Sequence, residues 1–182
     1  MAKRHYIPVT ADVPGAASEG NCALIRKVIR TALAAEGVAA LDAYPDQRAR
    51  RYGCPVAAVA VETAESRTVG FCNYLGEVFD TGAGAPRELY GKQLEAVISI
   101  EIRGQRAADC EQGCETAAEV LLERLPAGIR PGELNWEALT WERETGLFLR
   151  RGRLRCRAYF LAWAEEGDTA FLDFRLKGAV TT

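Results

Sequence analysis

A stretch of alternating side chains over residues 93–103 constrains the fold more than any other feature of the chain. The apolar positions are Leu94, Ala96, Ile98, Ile100 and Ile102, and the positions between them are Gln93, Glu95, Val97, Ser99, Glu101 and Arg103. Successive side chains of a β-strand point to opposite faces of the sheet, so this pattern predicts a strand with one face buried and the other largely wet. Any fold for this chain must therefore contain a sheet that something else covers on one side.

A second alternating stretch lies near the carboxyl end of the chain. There Leu154, Cys156, Ala158, Phe160 and Ala162 alternate with Arg153, Arg155, Arg157, Tyr159, Leu161 and Trp163. Arg150 and Arg151 precede this stretch, and we call the five residues Arg150, Arg151, Arg153, Arg155 and Arg157 the arginine row; its last three members share one face of the predicted strand.

The arginine row has two interpretations. It is either a solvated face whose arginines pair with Glu95, Glu101, Glu137 or Glu142 on neighbouring strands, or an electropositive interface. An interface of this kind would face an acidic partner or passing DNA, since the planar guanidinium makes two hydrogen bonds at once.

Two amphipathic helices are predicted to cover the buried face. The first begins at Asn21, a candidate N-cap, and ends at Gly37, with Leu24, Ile25, Val28, Ile29, Ala32 and Leu33 on one side. The second spans residues 106–125 and ends before Pro126, with Cys110, Cys114, Ala117, Ala118, Leu121, Leu122 and Leu125 on its apolar stripe. At this spacing Cys110 and Cys114 are better explained as small core residues than as metal ligands.

The remaining segments predict further strands. Residues 56–62 and 68–75 are expected to form a hairpin around the polar turn 63–67, and strands resume at Glu133, with bends at Gly146 and Gly152. The predicted fold class is α+β, a mostly antiparallel β-sheet with two amphipathic helices packed on one face. We expect one α+β domain over residues 21–166, an N-terminal arm over 1–20, and a C-terminal tail over 167–182 that adds a strand or docks on a partner.

Residues 76–91 hold four glycines and a proline, which predicts a long loop outside the core. The segment lacks the glycine order of nucleotide-binding loops and the G-K-[ST] of a P-loop. We expect Phe79, Asp80, Arg87 and Tyr90 either to form an interface that packs when a neighbour arrives or to belong to an idle loop.

Composition argues against several classes of function. The formal net charge of −2 makes DNA binding by bulk charge improbable. No apolar run has the length of a membrane span or a signal peptide, so we expect a soluble, unsecreted protein with no membrane partner. His5 is the only histidine, and no two of the six cysteines have the spacing of a zinc ribbon or redox motif. We expect reduced, buried thiols, and no metal, cofactor or catalytic residue.

The order of elements, the helix AADCEQGCETAAEVLLERL and the segment ETGLFLRRGRLRCRAYFLAW together resemble a known family. They are similar to the small tail-terminator and tail-completion proteins of long-tailed bacteriophages and prophages. Many of these close the domain with an E-T-G-L-aromatic segment and a basic, apolar strand, which Glu144, Thr145, Gly146, Leu147 and Phe148 match. The resemblance covers residues 22–165; the segments 1–20, 76–91 and the part after Glu166 are longer than the family core.

The resemblance implies a structural role without catalysis. It implies a homo-oligomeric ring, usually a hexamer, that caps the tail-tube protein, stops its polymerisation and offers a surface to the head connector protein. DNA would be passing cargo only. The location implied is the virion tail, and the cytoplasm of the bacterial host during assembly.

Two alternatives stay open. The first is that the chain is another prophage neck, connector or baseplate component. The second is a small enzyme with a carboxylate site around Asp80, Glu88, Glu95 and Glu101, although no short constellation pairs these residues with a nucleophile or a metal ligand.

Overall fold

The computed structural model describes residues 20–44, 55–82, 84–164 and 175–176. In chain order the elements are α1 (Asn21–Ala35), β1 (Ala39–Leu41), β2 (Val56–Thr68), β3 (Tyr74–Asp80), β4 (Ala85–Gly104), α2 (Ala107–Glu123), β5 (Ile129–Trp136), β6 (Thr140–Glu142), β7 (Leu147–Ala164) and β8 (Arg175–Leu176). The strand order is β1-β2-β4-β7-β5, with β3 paired to β4 and both β6 and β8 paired to β7. Every pairing except that of β1 with β2 is antiparallel. The predicted α+β class is confirmed.

The core lies between the two helices and one face of the sheet. On β4 and β7 the buried residues are Leu94, Ala96, Ile98, Ile100, Ile102, Leu154, Cys156, Ala158, Phe160 and Ala162. Ile25, Ile29 and Leu33 of α1 and Val120 and Leu121 of α2 pack into the same cluster. Both alternating patterns therefore bury the predicted sets, and burying one large aliphatic side chain contributes about 1.5–3 kcal/mol.

The predicted hairpin around residues 63–67 is wrong. β2 runs through these residues in register with β4, from Thr63 opposite Val97 to Arg67 opposite Gln93. Alternating polar residues suit the wet face of a long strand as well as they suit a turn, and pairing with β4 decides between the two. The actual turn, at residues 69–73, holds Cys72 and Asn73 at positive φ.

The predicted bend at Gly152 is also wrong, because this glycine lies inside β7. The ring of Trp136 on β5 packs over it so closely that a Cβ would lie 2.6 Å from two ring atoms. The glycine therefore permits a close approach within a continuous strand. The turn predicted at Gly146 is present, with φ at +69° and its amide donating to the Glu142 carbonyl at 2.9 Å.

Helix boundaries differ slightly from the predicted ones. Gly20, and not Asn21, is the N-cap of α1, and Gly37 follows the helix end at a φ of +81°, a conformation that suits glycine. Within the described residues no helix is both long and apolar enough to cross a membrane. The N-terminal arm before Gly20 lies outside the described residues, as does the C-terminal tail except for β8.

The described cysteines differ in exposure: three are buried, Cys22 is half-buried and Cys72 is exposed. Cys110, Cys114 and Cys156 are buried as predicted, and the Cys110 thiol donates to the Ile102 carbonyl at 3.2 Å. Cys72 is exposed, so the expectation of buried thiols is wrong there. Cys54 lies outside the described residues.

Native thiol labelling should follow this division. Burial raises the pKa of Cys156 to about 11, so its thiol is both inaccessible and protonated at neutral pH. We expect iodoacetamide at pH 8 to label Cys72 within minutes and to leave Cys110, Cys114 and Cys156 largely unmodified, as read by peptide mass spectrometry. Labelling in urea is the control, because all four should then react alike; equal rates in the native protein would contradict the described core.

Candidate interaction surface

Four members of the arginine row lie on the face of the sheet opposite the helices. Arg151, Arg153, Arg155 and Arg157 are exposed and alternate with the buried residues of β7. In the ladder with β4 they stand opposite Glu101, Ser99, Val97 and Glu95 respectively. No described helix covers this face, so these side chains project toward solvent.

Three of these four arginines are held by carboxylates on neighbouring strands. Arg151 Nε lies 2.9 Å from Glu101 Oε1, and Arg157 Nε lies 3.4 Å from Glu95 Oε1. Arg153 Nε lies 3.1 Å from Glu62 Oε2. The predicted pairing is thus confirmed for Glu101 and Glu95.

Glu62 was not predicted as a partner of the row. The register of β2 against β4 shifts between Val61 and Thr63, which places Glu62 at a bulge. A bulge re-aims a side chain and leaves little trace in the sequence. In the described part of the chain Arg155 makes no ion pair, because its neighbour on β4 is Val97.

Arg150 does not belong to this face. It stands opposite Ile102, a buried residue of the helix-covered side, and its Nε donates to the Glu137 carbonyl at 2.9 Å. Of the five residues of the arginine row it alone points to the other face, since adjacent residues of a strand point to opposite faces. The predicted shared face of Arg153, Arg155 and Arg157 is confirmed. The expected pairing of the Glu137 and Glu142 carboxylates with the row is also absent from the described contacts.

Glu142 instead binds Arg103, a buried arginine at the end of β4. Arg103 is 5% exposed, and its Nε and Nη2 donate to the two carboxylate oxygens of Glu142 at 2.9 and 3.1 Å. Its Nη1 lies 2.9 Å from Glu101 Oε2, and the Tyr44 ring centre lies 4.5 Å from its guanidinium carbon. Thr145 donates to Glu142 at 2.7 Å. These contacts join β4, β6 and β7 at one end of the sheet.

The carboxylates of this network have lowered pKa values. The hydrogen bond from Arg103 lowers the pKa of Glu142, and this outweighs the opposing effect of burial. Burial alone would raise the pKa of Glu101, but hydrogen bonds and charge from Arg151 and Arg103 lower it below its usual range. Both groups therefore stay ionised well into the acid range.

The glycine-rich segment 76–91 is a β-hairpin, so the predicted loop is wrong. β3 and the first part of β4 pair from Tyr74 opposite Tyr90 to Asp80 opposite Ala85. Gly76 and Gly84 adopt positive φ at a register shift and at the turn, which explains how a segment rich in glycine still forms a ladder. We call residues 74–90 the hairpin arm.

All four predicted site residues of this segment lie on the hairpin arm. Asp80 and Arg87 form an ion pair at 3.2 Å across it. Tyr90 donates from its hydroxyl to Glu88 at 2.6 Å, and this hydrogen bond raises the pKa of the phenol. Phe79 makes no such contact and stays 52% exposed. The structure brings these residues onto one arm, apart from the arginines that lie opposite residues 95–101 of β4.

Exposed apolar side chains concentrate at the hairpin arm. Of the large hydrophobic residues exposed in the described part of the chain, Phe71, Tyr74, Leu75 and Phe79 belong to this arm or to the turn before it, and Leu122 and Trp141 lie elsewhere. We call the first four the arm patch. Phe71 alone is 86% exposed. Apolar exposure of this density marks an interaction site more often than a solvated surface.

A basic groove of about 450 Å³ lies between α1 and β1 on the other side of the molecule. Its lining includes Arg26 and Arg30, which both bind Asp42, at 2.8 and 2.7 Å. The described residues contain no group of three or more histidine, cysteine, aspartate or glutamate side chains placed to hold a metal ion.

Comparison with known proteins finds structural similarity without a sequence match. No family model matches the chain, and no curated protein matches it. A solved chain from "Virion of native gene transfer agent (GTA) particle" is similar over 74% of this chain and 94% of that chain, with 14% sequence identity and a TM-score of 0.35. A similarity of this size assigns neither a family nor a function.

Proposed function

We propose that this protein is a structural component of a phage tail or of a phage-derived particle. In its specific form the proposal is a tail terminator, a homo-oligomeric ring of six copies that caps the tail tube and joins it to the head connector. The observation that carries it is the arm patch, because four large exposed apolar side chains on one hairpin and the turn before it suit protein assembly.

The segment on which the family resemblance rests supports this proposal by its position. Thr145 and Gly146 form the turn between β6 and β7, where Thr145 binds the same carboxylate that holds Arg103. The turn thus fixes the start of β7, the strand that carries the exposed arginines. This role needs the hydroxyl of Thr145 and the positive φ of Gly146, two of the residues that match the family segment.

The charged face suits contact with a protein better than contact with DNA. Three of the four arginines that β7 places on this face are neutralised by glutamates, and among the described residues Arg155 makes no ion pair. Arg130 of β5 stands opposite Arg157 on the same face and lies over the Tyr159 ring, so the face presents mostly paired charges. Nucleic-acid affinity requires unpaired positive charge that replaces counterions. A protein partner with its own ordered charges can instead exchange or extend these pairs.

The function is tested by mixing the purified protein with a phage tail-tube protein. We expect light scattering after size exclusion to show a ring of several copies, and negative-stain micrographs to show density at one end of each tube, with tubes that stop growing. Binding to a baseplate or neck component with no effect on tubes would favour another structural role. A stable monomer that ignores every particle protein would overturn the proposal.

Replacing Arg153, Arg155 and Arg157 together by Ala should separate folding from assembly. Exposed ion pairs contribute about 0–1 kcal/mol each, so the urea midpoint should change little, while ring formation or tube capping weakens at least tenfold. The matched control replaces Arg26, Lys27 and Arg30 of α1 by Ala, which removes the same charge from the opposite side. Unchanged assembly in the first variant would leave the arginines as a solvated face only.

A further inference from the structure

Another exposed aromatic side chain lies far from the arm patch. Trp141 on β6 is 55% exposed, and its ring meets that of Phe148 edge-on, with centres 4.9 Å apart. Packing on Phe148 holds the indole in place while more than half of it faces solvent. A tryptophan fixed in this way is the kind of residue that dominates protein interfaces.

The strand register places the two apolar sites at opposite ends of the sheet. Phe79 of the arm patch pairs with Pro86, near the start of β4. Trp141 pairs with Phe148, which in turn pairs with Gly104, the last residue of β4. At about 3.3 Å per residue, the distance along β4 between these positions is roughly 55–60 Å.

The two ends carry opposite charge. The hairpin arm has three carboxylates, on Glu77, Asp80 and Glu88, against the guanidinium of Arg87, a net charge of −2. The segment 140–151 around Trp141 has three arginines against two glutamates, a net charge of +1. Moreover, the carboxylate of Glu142 already forms an ion pair with Arg103. Arg143 is exposed and forms no ion pair among the described residues, so its positive charge faces solvent.

Both sites also lie on strands with a free edge. β3 pairs only with β4 and β6 only with β7 in the described part of the chain, so each has unpaired backbone groups on its outer side. Unpaired strand edges accept a strand from another chain.

From these observations we propose that copies of this protein associate head to tail, with the arm patch of one copy on the Trp141 end of the next. Two different surfaces at opposite ends form a heterologous contact, which generates closed rings or open filaments and no two-fold dimer. The occupant of each surface is a second copy, because the net charges of the two ends are complementary and both ends have an exposed aromatic anchor. This inference rests on the proposed function in one respect, the requirement that several copies associate. It goes further by naming the two surfaces that would join neighbouring copies in the ring.

Complementation between two variants tests this directly, with no other particle protein present. Phe79→Asp removes the arm patch anchor and Trp141→Asp removes the opposite one, and each variant alone should be monomeric by light scattering at concentrations where the wild type associates. Mixed in equal amounts, they should form a dimer and nothing larger, because each supplies one intact surface. Leu122→Asp is the control, since this exposed residue of α2 lies in neither patch and its variant should associate as the wild type does.

Cross-linking covers the case in which an aspartate variant fails to fold. In a Cys72→Ser background, Phe79→Cys and Trp141→Cys proteins should be joined to each other by a short bismaleimide, and neither should cross-link strongly to itself. Self-cross-linking of Phe79→Cys would show a two-fold contact and overturn the inference. A Trp141→Asp protein that still associates fully would show that the Trp141 end is not needed and would also overturn it. A wild type that stays monomeric at every concentration would also overturn it. Tube capping tests the proposed function separately. Head-to-tail association without capping would support this inference and contradict the tail-terminator role. Capping by a two-fold assembly would support that role and contradict this inference.

Discussion

Glu142→Ala is expected to destabilise the protein by about 3 kcal/mol. Removing this carboxylate leaves the buried guanidinium of Arg103 without both of its hydrogen bonds to Glu142, and breaking one side of a buried ion pair costs about 3–5 kcal/mol. We take the lower end because Glu101 stays beside Arg103 at 2.9 Å. Urea unfolding followed by circular dichroism gives the measurement.

Two control variants make this result specific. Glu137→Ala removes an exposed carboxylate just before β6 and should change stability by less than about 0.5 kcal/mol. The double variant Arg103→Met with Glu142→Leu removes both charges and should recover much of the loss, because a buried ion pair can be replaced by apolar side chains of similar size. An equal loss in the double variant would show that packing, and not an orphaned charge, causes the effect.

The same network predicts how stability depends on pH. Because the pKa values of Glu101 and Glu142 are lowered in the folded protein, their contribution is complete above about pH 4.5, the ordinary value. It is lost as the pH falls through the folded pKa values, since protonation then removes the charges that hold Arg103. The stability difference between wild type and Glu142→Ala should therefore be constant from pH 7 to pH 5 and narrow below pH 4.5. A difference that stays unchanged down to pH 3 would contradict the network.

The second large effect is expected at Gly113 in the middle of α2. Glycine to alanine normally stabilises a helix interior by about 1 kcal/mol. Here a Cβ would lie 2.6 Å from Pro55 Cβ and 2.9 Å from Ile102 Cγ2, so the helix would have to move away from the sheet. We expect Gly113→Ala to destabilise the protein by about 1–3 kcal/mol, the cost of overpacking a core, despite its better helix propensity.

Its control is the neighbouring exposed position. Gln112→Ala changes helix propensity slightly and meets no such contact, so its unfolding midpoint should stay within about 0.5 kcal/mol of the wild type. Thermal melts of both variants give the comparison. A stabilised Gly113→Ala protein would mean that α2 does not approach Pro55 and β4 as closely as described.

The errors of sequence interpretation share one physical cause. Residues 63–67 and 76–91 were predicted as a turn and a loop because polar residues and glycines are common there, yet both pair with β4. Gly152 was predicted as a bend, yet it allows the Trp136 ring to pack. In each case the local composition permits two conformations, and pairing or packing with another strand selects one of them.

The candidate interaction surface likewise contains features that the sequence predicts and features that only the structure shows. The exposed positions of Arg153, Arg155 and Arg157 and the partners Glu95 and Glu101 followed from strand alternation. The partner Glu62 and the network of Arg103 did not, because a bulge and a buried ion pair depend on the three-dimensional register and leave no local pattern. Nor did any local signal place Trp141 and the arm patch at opposite ends of β4.

From the amino-acid order alone one obtains the two helices, the buried faces of β4 and β7 and the α+β class. These follow because burial imposes a period of 3.6 or 2 on neighbouring side chains. Tertiary structure alone decides how far each strand extends, which carboxylate holds which arginine and where the exposed aromatics lie relative to one another. Those features depend on contacts between residues far apart in the chain, such as Arg153 with Glu62, and such contacts have no sequence period.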